Sequence, residues 1–196
     1  MREKWKREIE QLIAGNPLIQ ETPAFQQNYW GIWVIDSSKL VYRYASPRND
    51  YATLPQLEGA WEYVLAIDLG FGWSAFTVLQ YSEASRVLYV PLSIKKAGLD
   101  ITDTAAQAHR LKARYPIGTT VIDGANKQAV EELNNRHGLD AIAADKTGKF
   151  DFIDIMNAEF IQGRIQLGPD TQDLKDEYAN LIVDERKLKK GVRDEH

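Results

Sequence analysis

Between Glu3 and Ala14 apolar residues recur at helical spacing, at Trp5, Ile9, Leu12 and Ile13, with charges between them. That period predicts an amphipathic helix, stopped by Gly15-Asn16-Pro17. The aromatic-rich stretch "FQQNYWGIWVI" and the extended stretch "KLVYRY", joined through Asp36-Ser37-Ser38, predict a short hairpin. "ASPRNDYATLPQLEG" carries two prolines and few apolar residues, and reads as a linker ending near Gly59.

Beyond Gly59 the texture changes. "YVLAIDLG", "SAFTVLQYS" and "RVLYVPLSI" are apolar, β-branched or aromatic runs separated by short Gly or Ser-Glu turns, which predicts a three-stranded antiparallel meander. A helix is expected from Thr102 to about Tyr115, with Thr102 or Asp103 as N-cap and Ala106, Ala108 and Leu111 on one face; Pro116 ends it. "GTTVIDGAN" predicts a fourth strand, "KQAVEELNNRHG" a second helix stopped at Gly138, and "DAIAA" a short fifth strand. Phe150 to Gln162 has helical spacing, "GRIQL" returns to an extended form, and the charged segment from Thr171 onward offers no obvious packed ending. The order predicts an α/β fold with a mixed sheet, in two segments: 1–59 with helix, hairpin and linker, and 60–196 with the sheet.

One acid interrupts this pattern. Asp68 ends the apolar run "VLAIDLG", and a lone buried carboxylate is costly unless something compensates for it. Asp-Gly pairs are also ordinary turn residues. Asp123, in "TTVIDGANK", has the same setting: an apolar strand, an acid at its carboxyl end, a glycine next. If the first and fourth strands are parallel neighbours, both acids lie at the edge where open α/β sheets place their ligands. Adjacent carboxylates repel, and divalent cations relieve that repulsion. Two such cations can activate a water and stabilise the leaving oxygen of a phosphodiester. Asp68 and Asp123 are therefore the candidate catalytic and metal-binding residues. Lys127, Lys146 and Lys149 stand on segments near that edge and are candidates for phosphate contacts, beside the ordinary reading of surface lysines.

Composition narrows the chemistry. The 196 residues are 44% hydrophobic and 27% charged, enough for one real core. With no cysteine and three scattered histidines, thiolate zinc sites and disulfides are excluded, and a metal would be held by carboxylates, as suits Mg²⁺ or Mn²⁺. No apolar run reaches the roughly 20 residues of a membrane span, and the charged N-terminus does not read as a signal peptide. The net charge of -4 leaves nucleic-acid binding to a local basic face. Arg110, Lys112 and Arg114 read as a solvated helix face, and Lys187, Lys189, Lys190 and Arg193 as a solvated tail or a DNA track. His109 and His137 read as surface residues. Trp30, Trp33 and Trp61 read as core or docking contacts.

"AIDLGFGWSAFTVL" followed by "TTVIDGAN" resembles the RNase H-like nuclease domain of the large terminase subunit of tailed bacteriophages. Upstream, "FQQNYWGIWV" is similar to the segment leading from the terminase motor into its nuclease. Downstream, "DKTGKFDFIDIMNAEFIQGRIQL" resembles the lysine, helix and short extended element after the fifth strand. The resemblance spans about Phe25 onward. It implies an endodeoxyribonuclease that cuts concatemeric viral DNA with two Mg²⁺ or Mn²⁺ ions, Asp68 and Asp123 matching the first and second metal-binding aspartates. Implied partners are double-stranded DNA, the packaging ATPase, the portal and the small terminase subunit, with no membrane, in the cytoplasm of a bacterial host. Two departures qualify it. The third acid, carried by a helix near the family's C-terminus, has no counterpart before the chain ends at "GVRDEH"; Asp184 and Asp194 lie outside a matching context, so the third ligand is unknown and the domain is expected to be truncated. No G-x-x-x-x-G-K-[ST] loop occurs, so the packaging ATPase motif is missing from this sequence.

The alternative is a binding or docking module of the packaging assembly that holds DNA without cutting it. "DLGFGWSAFTVL" also resembles the phosphate-binding hairpin of actin-like ATPases and sugar kinases, which need two such domains. A junction resolvase of related fold needs a dimer and a denser acidic site.

Overall fold

The computed structural model describes residues 2–32, 39–55, 59–123, 127–145 and 149–183. They fall into two compact units, one of residues 1–40 with 182–196 and one of residues 41–181.

In the first unit, helix α1 (Arg2–Gly15) is followed by a 3₁₀ turn (Pro17–Glu21), a short helix α2 (Pro23–Phe25) and a π-helical turn (Gln26–Trp30). Asn16 caps the 3₁₀ turn, its Oδ1 accepting from the Leu18 amide at 3.2 Å. Phe25 is buried, stacked on Tyr29 at 4.7 Å and edge-on to Trp30 at 5.3 Å. Among the described residues the two arms of the expected hairpin do not pair as strands; residues 33–38, with its turn, lie outside them. Its first arm is helical through Trp30, because a helical turn brings Tyr29 and Trp30 back onto the Phe25 ring. Asp36 to Ser38 and Trp33 lie outside the described residues. In the second arm Leu40 makes an isolated antiparallel bridge to Ile182, and Val41–Tyr44 forms no strand.

The second unit is built on six strands: β1 (Glu62–Leu69), β2 (Trp73–Tyr81), β3 (Leu88–Ala97), β4 (Thr119–Ile122), β5 (Ala141–Ala143) and β6 (Ile165–Asp170). Their spatial order is β5-β4-β1-β2-β3-β6. β1, β2 and β3 form the expected antiparallel meander, while β4 pairs parallel to β1, β5 to β4, and β6 to β3. Burial alternates along β2, as a strand covered differently on its two faces requires.

Among the described residues five helices complete the unit: α3 (Ser46–Asn49), α4 (Ile101–Arg114), α5 (Lys127–His137), α6 (Lys149–Ile161) and α7 (Gln172–Asn180). Ala105, Ala108 and Leu111 of α4 and Leu133 of α5 bury against Leu65, Ile67, Phe76, Val78 and Ile122 on one face of the sheet. On the other face Phe160 of α6, Leu174 and Tyr178 of α7, and Tyr42 and Tyr44 pack with Leu79, Val90, Ile165 and Leu167. Val78 and Leu79 are sequence neighbours that join different clusters, as strand alternation dictates.

The α4 N-cap is Asp100, whose carboxylate accepts from the Asp103 amide at 2.7 Å, rather than Thr102 or Asp103. The helix begins at Ile101, so the capping oxygen must lie one residue before it. α5 stops at Gly138, where φ is +59° and glycine carries no Cβ penalty. The segment expected as a linker is partly structural. Asn49 is fully buried; its Nδ2 donates to the Phe160 and Ile165 carbonyls at 2.9 and 3.1 Å, and its Oδ1 accepts from the Ala45 amide at 3.0 Å. The sheet-bearing unit thus begins at Val41 and includes the residues from 41 to 59. Likewise Thr171 onward packs: α7 places Leu174 and Tyr178 in the second cluster.

Candidate functional site

The last parallel pair of β1 and β4 is Ile67 with Ile122, and the Asp123 amide donates to the Ile67 carbonyl at 3.0 Å. Asp68 and Asp123 therefore follow at the same level on neighbouring parallel strands, whose axes lie about 5 Å apart. β5 joins at that edge too, its following Ala144 amide donating to the Ile122 carbonyl at 2.8 Å. Both acids line one cleft of about 220 Å³, floored by Ala66, Ala75, Thr77, Val121 and Ala144. Small floor residues leave the space open.

Asp68 is exposed and Asp123 half-buried. The charge at the end of an apolar strand is thus carried in water at the sheet edge, and Asp68 does not meet the burial cost its sequence setting suggested. Two carboxylates on adjacent strands offer hard oxygen donors, which suit a hard divalent cation. Among the described residues, no group of three or more His, Asp or Glu is placed to hold a metal ion. Asp145 is exposed just beyond β5 and adds no such third ligand.

Lys127 is exposed in the first turn of α5. Lys146, the Lys149 side chain, Asp184, Asp194 and the basic tail from Lys187 to Arg193 lie outside the described residues. The structure brings a different cation to the acidic face. Asp68 pairs with Ala75 across β1 and β2, and Ala75 with Lys95 across β2 and β3, so the three stand in one row on one face. Lys95 Nζ bonds Glu177 Oε1 of α7 at 2.9 Å, with both side chains substantially exposed. No sequence spacing signals this row, because it exists only through strand register.

The remaining candidates are structural. Lys112 Nζ donates to the Leu139 carbonyl at 3.0 Å, Arg110 grips Gln107, and Arg114 lies 5.1 Å from the Tyr115 ring. The His109 ring bonds the His137 carbonyl at 2.8 Å, and His137 Nε2 is buried without a hydrogen-bond partner among the described residues, so His137 is not the plain surface residue expected. Trp61 packs edge-on to Tyr89 at 5.7 Å.

A mixed sheet with an antiparallel meander, a parallel β1–β4 pair and helices on both faces is an RNase H-like fold. Within that class the fold is that of large-terminase nuclease domains. The nuclease domain of the bacteriophage P22 large terminase matches 75% of this chain and 81% of its own at a TM-score of 0.59 and 11% identity. The large-terminase nuclease of the thermophilic phage G20c matches 72% of this chain and 81% of its own at 0.55 and 17%. The large terminase of another thermophilic bacteriophage matches 82% of this chain at 0.67 and 16% identity, and the match spans only 41% of that longer protein. The SPP1 domain of this kind holds bound Mn, and a second G20c structure bound zinc. No protein-family model matches the chain, and no curated protein matches it significantly in sequence.

Proposed function

We propose that this chain is a divalent-cation-dependent DNA endonuclease module of a phage packaging terminase. The observation that carries the reading is the placement of Asp68 and Asp123, side by side at the carboxyl ends of β1 and β4 on one open cleft. Their carboxylates would hold one or two Mg²⁺ or Mn²⁺ ions. Bound there, such ions supply Lewis-acid activation of a water and neutralisation of charge on the phosphodiester. Asp68 and Asp123 orient the site, since β1 and β4 fix both backbones, and the alanine floor leaves room for a phosphate. Lys95, in the same row, can exchange its exposed partner Glu177 for a DNA phosphate, because surface ion pairs contribute little. The roles proposed for Lys127, Lys146 and Lys149 are phosphate contacts flanking the cleft. The implied partners are double-stranded DNA, a packaging ATPase, a portal and a small terminase subunit, in the host cytoplasm.

A second reading has its own support: with two acids and no third ligand among the described residues, the chain suits a module that holds DNA without cutting it. Supercoiled plasmid incubated with Mg²⁺ or Mn²⁺ separates the two. Nicking by the wild type that disappears in Asp68→Asn and in Asp123→Asn supports the nuclease. Cleavage that persists in both variants overturns the assignment of the acids, and a folded wild type that binds duplex but never cuts it favours the holding module.

A further inference from the structure

The turn between β1 and β2 presents Phe71 to water with a relative exposure of 107%, followed by Trp73 at 57%. This is not a loose loop. A Cβ at Gly70 would lie 2.9 Å from the Trp73 carbonyl oxygen, Gly72 has φ +81°, and the Gly72 carbonyl accepts from the Gly98 amide at 3.0 Å. The two glycines let the chain reverse tightly, and the tie to the end of β3 holds the tip in place. A single exposed apolar residue is unremarkable on a protein surface, but here a ring is held outward on a tied turn beside a second one.

Its location points to what the ring meets. Phe71 follows Asp68 by three residues, so their Cα atoms are at most roughly 11 Å apart. Nucleotides succeed one another every ~3.4 Å along a strand, which puts Phe71 within about three steps of a phosphate in the cleft. Strand alternation sets Trp73 on the face of Ala75 and Asp68, opposite Ala97 and diagonal to Lys95 in the adjacent strand. On a chain of net charge -4, with two carboxylates at this edge, the phosphate contacts proposed for the nearby lysines leave room for a contact that does not rely on charge. Apolar contact with bases is indifferent to that charge. We infer that Phe71 is a wedge that enters a base step of the DNA beside the phosphodiester at the Asp68–Asp123 cleft, with Trp73 lining its approach; this rests on the nuclease reading above. An inserted apolar side chain partly unstacks the step and kinks the duplex, which turns the neighbouring backbone toward the cleft.

The test uses the full chain and short duplexes with 2-aminopurine at one position each, in Ca²⁺ to prevent turnover, with end-label anisotropy reporting binding. The wild type is expected to brighten one position. Phe71→Ala should lose that signal and bind roughly 5-fold more weakly or worse, the scale of one lost base–aromatic contact, while Phe71→Trp should retain both. Because the ring touches water, Phe71→Ala should melt with the wild type. If Phe71→Ala brightens and binds like the wild type, the wedge is wrong, and plasmid cleavage by both proteins would leave the nuclease reading intact. If the wild type leaves plasmid uncut yet brightens a Phe71-dependent position, the nuclease reading falls and the wedge stands in a holding module. A Phe71→Ala chain that changes oligomeric state in sedimentation with unaltered DNA signals would assign the tip to protein contact and overturn the proposal.

Discussion

Asp68 and Asp123 are placed by the backbones of neighbouring strands and neither is fully buried, so neutralising one should be felt in chemistry rather than in folding. Outer-shell partners of a metal site contribute about 10- to 100-fold, and a direct ligand more. Asp68→Asn or Asp123→Asn is therefore expected to lower plasmid cleavage at least ~100-fold, while Asp68→Asn, at an exposed position, leaves thermal stability close to the wild type in the absence of metal. Asn49 is the opposite case. Its truncation strands the Ile165 carbonyl and takes a partner from the half-buried Ala45 amide, while the Phe160 carbonyl keeps Arg48 Nε at 2.8 Å and the Gly163 amide at 3.1 Å. At the desolvation cost of an unsatisfied buried group, Asn49→Ala should lose about 1–3 kcal/mol in urea unfolding with the m-value unchanged.

Hydrogen bonds around α3 connect the element before the sheet to the helix after it. The Tyr44 hydroxyl donates to Asp50 Oδ1 at 2.8 Å, Ser46 Oγ to Asp50 Oδ2 at 2.7 Å, and Lys175 Nζ of α7 lies 3.2 Å from Asp50 Oδ2. Burial raises the Asp50 pKa, but the bonds from Ser46, Tyr44 and Lys175 outweigh it and hold the carboxyl below its usual 3.8. Ionised Asp50 thus contributes stability above pH 3.8 that is lost as pH falls through the lowered value. Burial, reinforced by the bond to Asp50, pushes the Tyr44 phenol from 10.0 to about 12. That contribution is present below pH 10 and lost as pH rises through about 12. Melting temperature against pH should therefore show a flatter acid limb in Asp50→Asn and a flatter alkaline limb in Tyr44→Phe. The polar residues of "SPRND" read as a linker because their bonding partners lie on α6, β6 and α7, far along the chain. The meander, by contrast, is legible from apolar runs and the turns between them, since its neighbours in space are neighbours in sequence. Asn134 repeats the lesson at β5: its side chain bonds both the amide and the carbonyl of Ala141 at 2.8 Å, fixing an edge strand of three residues.

At the scale of the molecule, both hydrophobic clusters lie inside residues 41–181, whereas among the described residues of the first unit Phe25 alone is buried. Deleting residues 1–32 should accordingly leave the cooperative melt of the sheet-bearing unit within a few degrees of the full chain. A ligand that binds only the folded state stabilises it by mass action, so Mn²⁺ at about 100 times its Kd should add about 2.7 kcal/mol to the wild type and nothing to Asp68→Asn. An unchanged wild-type melt at millimolar Mn²⁺ would count against a metal centre. The meander, the alternating helices and strands after it, and two acids at apolar strand ends are legible in the chain alone, because apolar runs, turn residues and the helical period are local signals. That Asp68 and Asp123 share an edge follows from the parallel register of β1 and β4, a pairing of distant segments. Strand register likewise puts Lys95 in the row of Asp68, and packing on Phe25 winds the aromatic stretch after it as helix. Those outcomes are set by pairing and packing between distant segments, which no local pattern encodes.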